Sequence, residues 1–150
     1  MSSSYVRSQI KTYLGTNFPT ENVVDLTAQY RSIGDILSDE GITHNDNWLG
    51  IQFSSSEERV ISIPADNSQG LYREVGIIFL HIVEPVRKDV VDLLLARSED
   101  LRDSFRGKRI GDVVVEEVSP PSFENGTTIQ FEGGYTSASV IVSYYRDIKL

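Results

Sequence analysis

The side chains best suited to acid–base or metal chemistry in this sequence are two histidines and several adjacent carboxylate pairs. His44 stands next but one to Asp46 in the run Thr43-His44-Asn45-Asp46-Asn47, a spacing that an acid–base or metal pair could use. No third ligand lies nearby in sequence, so a solvated loop histidine is the plainer reading. His81 falls among Ile78, Phe79, Leu80 and Ile82, where a hydrogen-bonded core or edge histidine is expected rather than a catalytic one. Asp39-Glu40, Glu57-Glu58, Glu99-Asp100 and Glu116-Glu117 are neighbours in the chain. Neighbours point to opposite faces of a strand and diverge by about 100° on a helix. Such pairs do not converge on a substrate and read as solvated surface charge.

Glycine and serine add no chemistry. Gly107-Lys108-Arg109-Ile110-Gly111 lacks the lysine–serine ending of a phosphate-binding loop, and it follows a predicted helix where such a loop follows a strand. Ser54-Ser55-Ser56 has no flanking glycines to form a nucleophile elbow. Phe123 to Thr127 reads as a turn. The residues therefore assign no catalytic, cofactor-binding or metal position, and a non-enzymatic role is expected.

The elements that would position these residues fit one domain over residues 1–150. Hydrophobic residues make up 39% and charged residues 24%, too apolar for disorder. The longest apolar stretches, Val75 to Val83 and Val90 to Ala96, are too short to span a bilayer, so no membrane association is expected. The first residues carry no apolar signal region, which sets the expectation of a cytoplasmic protein. There is no cysteine, hence no disulfide or thiolate site. A net charge of −8 argues against gripping duplex DNA, and the densest basic cluster, Arg102, Arg106, Lys108 and Arg109, is interleaved with Asp103. The same charge would repel a passing polyanion.

Periodicity predicts an α+β fold: a mostly antiparallel sheet of four to six strands packed with an N-terminal helix and one longer central helix. The first helix covers Tyr5 to Leu14, with Val6 and Ile10 at helical spacing, a serine cap, and Gly15 and Pro19 as stops. Thr20 to Asn47 lacks clear periodicity and reads as an irregular arm. Val23, Val24 and Leu26 could form a short strand there, and Ile33, Ile36 and Leu37 one helical turn. Strands follow at Trp48 to Phe53 and Arg59 to Ile63, and the strongest strand signal covers Leu71 to Val83, apolar on both faces in its second half. Pro85 to Phe105 is the central helix, stopped by Gly107. Ile110 to Val118, Thr127 to Phe131 and Tyr135 to Tyr145 complete the strands, with a turn at Gly133-Gly134.

This layout resembles the tail-terminator (tail-completion) proteins of long-tailed bacteriophages. The likeness rests on the helix Tyr5 to Leu14, the strand Trp48-Leu-Gly-Ile-Gln-Phe53, and the strand Tyr72 to Val83 running directly into the helix Pro85 to Phe105. The closing strand Ala138 to Tyr145, with its tail Tyr144-Tyr145-Arg146-Asp147, completes it. The resemblance implies a homohexameric ring on the head-proximal end of the tail tube, assembled in the host cytoplasm. Such a ring ends tube polymerisation and meets the head-side connector or stopper protein. It implies no cofactor and no covalent chemistry, with DNA only as a non-adhering passenger. The family has no short functional signature to carry over residue by residue.

A ring subunit needs two unlike lateral surfaces. The candidate interface residues are Val23, Val24, Ile33, Ile36 and Leu37 in the first arm and Tyr72 beside the loop before it. The alternative is that the arm's apolar residues cover the sheet of their own subunit. Other classes remain open at this point: another neck, stopper or connector protein, a small hydrolase using His44 and Asp46, and a monomeric module binding a peptide at its sheet edge.

Overall fold

The computed structural model describes residues 3–27, 33–43, 46–54, 56–62, 70–123 and 135–149. Within them the chain is α+β, as the periodicity predicts, with three helices and a curled, mostly antiparallel sheet. The elements are α1 (Ser4–Asn17), β1 (Val23–Asp25), α2 (Ile33–Asp39), β2 (Trp48–Phe53), β3 (Glu57–Ser62), β4 (Leu71–Pro85), α3 (Val90–Phe105), β5 (Arg109–Ile110), β6 (Val113–Val118) and β7 (Tyr135–Lys149). The sheet runs β1-β2-β4-β7-β6-β5, and β3 pairs with the part of β4 that β2 leaves free. Among the described strands only β1 and β2 pair in parallel.

The frame of the sheet is the β4–β7 ladder, paired without interruption from Leu71↔Lys149 to Pro85↔Tyr135. Strand alternation puts Ile78, Leu80 and Ile82 of β4 and Ala138, Val140, Val142 and Tyr144 of β7 on one face. Val6, Ile10 and Leu14 of α1 and Leu94, Leu101 and Phe105 of α3 cover that face and complete the main core. Each fully buried Leu or Ile contributes about 1.5–3 kcal/mol. Tyr13 meets Phe105 edge-on with ring centroids 5.1 Å apart, and its hydroxyl donates to the Ser104 carbonyl at 2.6 Å, so α1 is locked to the end of α3. A second, smaller core lies at the β2 end of the molecule, where Val24, Leu26, Ile36, Leu37 and Ile42 close over Trp48 and Val83.

Several boundaries differ from the periodicity. Helix α1 is capped by Ser3 and runs through Gly15 to Asn17, three residues beyond Leu14. Helix α3 begins at Val90, because the chain stays paired with β7 through Pro85. The strand predicted over Ile110 to Val118 is two strands, β5 and β6, joined by a tight turn at Gly111-Asp112. Gly111 holds φ at 60°, a conformation that favours glycine, and a side chain there would displace Gln9 Oε1 and the Tyr5 hydroxyl, both at under 3 Å. With that division and β1, the described sheet has seven strands, above the four to six expected. The predicted strand Thr127 to Phe131 and the turn Gly133-Gly134 lie outside the described residues.

Candidate assembly surface

Among the described residues the chemistry-bearing side chains do not converge on a metal site. His81 is buried in β4, with Nδ1 2.9 Å from Ser139 Oγ and Nε2 3.2 Å from Gln52 Oε1. A neutral imidazole satisfies that geometry with one acceptor and one donor. Burial pushes its pKa down to about 4 from 6.5. Asp46 closes a turn, accepting from the Thr43 backbone N–H at 2.8 Å and from its hydroxyl at 3.0 Å. His44 lies outside the described residues. Among the described residues no three His, Cys, Asp or Glu side chains come together as a metal site. No described helix is long and apolar enough to cross a membrane.

The carboxylates that are buried serve the fold. Glu84, at the end of β4, is bound by Arg97 of α3, by Arg87 and by Asn47. Glu74 accepts from the Tyr144 hydroxyl at 3.1 Å and from the Ser3 backbone N–H at 3.1 Å. For Asp25, burial alone would raise the pKa, but Lys11, Thr27 and Arg7 outweigh it and hold the carboxyl at about 2. These bonds tie α1, β1 and α3 to the sheet.

The residues proposed from sequence as interface anchors fall into different places. Val24, Ile36 and Leu37 are buried in the second core against their own sheet, which leaves them little surface for a partner. Val23 is partly buried against the main core. Tyr72 is partly buried and sits between Val60 of β3 and Ile148 of β7. Ile33 begins α2, and its side chain lies outside the described residues. The arm thus supplies an edge strand and a short helix that cover the sheet of the same subunit.

The surface that remains is the sheet's own rim. One row of paired residues crosses five strands, Glu57 of β3, Val75 of β4, Tyr145 of β7, Val114 of β6 and Arg109 of β5. Their side chains point away from the main core, since Val113, Val115 and Tyr144 beside them point into it. Four inter-strand spacings separate the ends of the row by about 19 Å. Among the described residues β3 pairs only with β4 and β5 only with β6, so both ends of the row are free edges. The β3 edge carries Glu57, Glu58 and Arg59, then Val60 and Ile61, which are 53% and 45% exposed. The β5 edge carries exposed Arg106, Lys108 and Arg109; Arg109 donates to the Gly111 carbonyl at 3.3 Å, and its charge helps to lower the pKa of Asp147 on β7. An open trough of about 520 Å³ lies beside β3, lined by Ser54, Ser56, Glu57, Arg59, Glu116 and Ser143.

Sequence reasoning passed over both edges. Glu57-Glu58 was legible only as a solvated pair, and the basic cluster only as scattered charge. The pair Gly111-Asp112 was the available signal for a separate β5.

No family model matches this chain, and no curated protein matches it in sequence. Among the solved structures that match, one aligns over 100% of this chain and 97% of its own length, at 15% identity and a TM-score of 0.44. A likeness at that level carries no functional argument.

Proposed function

We propose that this chain is a structural subunit of a long-tailed bacteriophage tail, a tail terminator that closes into a ring, caps the tail tube and ends its polymerisation. Its partners are further copies of itself, the tube protein below and the head-side connector or stopper above, and its place is the neck of the virion. The role needs no catalysis and no cofactor.

The observation that carries this reading is the row from Glu57 to Arg109, which ends in two unlike free edges on one curled sheet. Like edges favour a closed two-fold dimer, whereas unlike edges on opposite sides of a subunit join head to tail and form a ring where the rotation between copies closes. The long β4–β7 ladder stiffens the subunit between them. A net charge of −8 suits a channel through which DNA slides without adhering. The order of helices and strands noted in the sequence is compatible with the same role. Another head–tail joining protein would share these features. Cross-linking in assembled particles separates the two: a terminator cross-links to tube protein, a stopper to the portal side.

A further inference from the structure

We infer that the acidic β3 edge of one copy pairs directly with the basic β5 edge of the next, so that the sheets of neighbouring subunits join into one continuous wall. This deepens the ring reading and rests on it. Three observations support it. The first is register: Glu57 and Arg109 terminate the same row, so a partner placed at one edge continues the row of the other. The second is direction. Each of the four pairings between β3 and β5 is antiparallel, so β3 and β5 run the same way. Copies related by rotation about an axis along the strands therefore meet as a parallel β5–β3 pair, a geometry that backbone hydrogen bonds can satisfy.

The third is charge. Glu57 and Glu58 are exposed on β3, and Glu57 has only the intrastrand Arg59 as ion-pair partner among the described residues, at 3.0 Å. Arg106, Lys108 and Arg109 are exposed around β5. Pairing unlike edges sets carboxylates beside guanidinium and ammonium groups across the new strand pair, where opposite charges stabilise and like charges destabilise. Pairing of two β5 edges would set the three cations of one copy against those of the other. Val60 and Ile61, on opposite faces of β3, gain cover on both sides when a strand is added beside them. A second copy of this chain is thus the occupant that both edges fit.

The test is charge reversal on the full chain, with particle mass read by mass photometry and sedimentation velocity. Glu57→Lys with Glu58→Lys should convert rings to monomers, weakening association by about tenfold or more. Lys108→Glu with Arg109→Glu should do the same. All four substitutions together should restore ring mass. Far-UV circular dichroism and the thermal midpoint of each variant establish that the subunit still folds. Ring mass that persists in both single-edge variants, or a variant with all four substitutions that stays monomeric while folded, overturns edge pairing and leaves the ring reading standing. Wild-type protein that remains monomeric even with tube protein overturns both.

Discussion

Arg97 of α3 reaches the buried carboxylate of Glu84 at the end of β4, with 3.0 Å between Nη1 and Oε1. The same guanidinium pairs with Glu21 and donates to the Val83 carbonyl at 3.1 Å. One side chain therefore joins the segment before β1, the end of β4 and α3. Glu84 is 1% exposed, so its charge depends on these partners. Arg97→Ala should lower the unfolding free energy by about 3 kcal/mol, the lower part of the range for stripping a partner from a buried charge, because Arg87 remains. Arg97→Lys should lose less, keeping the charge without the fork. Urea unfolding of the three proteins checks both values.

Gly76 faces Tyr144 across the β4–β7 ladder, and a side chain at Gly76 would lie 2.5 Å from the tyrosine hydroxyl and 2.8 Å from its ring. The ring is buried and hydrogen-bonded to Glu74, so it has little room to give. Gly76→Ala should cost about 1–3 kcal/mol by overpacking. A thermal midpoint unchanged from wild type would show that the tyrosine moves aside.

The protein should lose stability in mild acid through His81. Its folded pKa of about 4 lies below the ordinary 6.5, so the unfolded chain takes up the proton first as pH falls. The neutral ring costs nothing above pH 6.5, and stability is lost between 6.5 and 4. Between pH 7 and pH 5 the loss should be about 2 kcal/mol. Asp25, held at about 2, adds a further loss only below its ordinary 3.8. His81→Asn should flatten the first of these phases, whatever its cost at pH 7. Denaturant unfolding at both pH values, with and without the substitution, reads the difference.

Ile36 belongs to the second core rather than to a lateral contact, so Ile36→Ala should cost about 2–4 kcal/mol of folding stability. At temperatures where the variant stays folded, its particle mass should match wild type. A loss of association with stability unchanged would return the α2 segment to the interface.

The parts of this fold that were legible in the sequence are those governed by local periodicity. In Ile78 to Val83, the side chains of Ile78, Leu80 and Ile82 enter the main core and Val83 enters the second, and the segment is visible as a hydrophobic run interrupted only by the buried His81. The helix stripe through Leu94, Leu101 and Phe105 was equally plain. The start of α3 was not, since Pro85 fits the first turn of a helix as well as the last position of a strand, and only pairing with Tyr135 decides between them. The apolar residues of the arm showed that something must be covered, but not whether the cover lay in the same subunit. Long-range pairing placed Val24 beside Gly50 and Ile36 over Trp48. The β3 and β5 edges were the least visible, because Glu57 and Arg109 lie 52 positions apart and share a row only through three intervening strands.

The central claim is that this subunit closes into a ring on the tail tube, and electron microscopy of the purified protein mixed with tube protein tests it most directly. Rings with a central pore, seated at one end of each tube and halting its growth, are expected. Tubes that lengthen unchecked with no added density at either end, in a sample where the protein stays strictly monomeric, would contradict it.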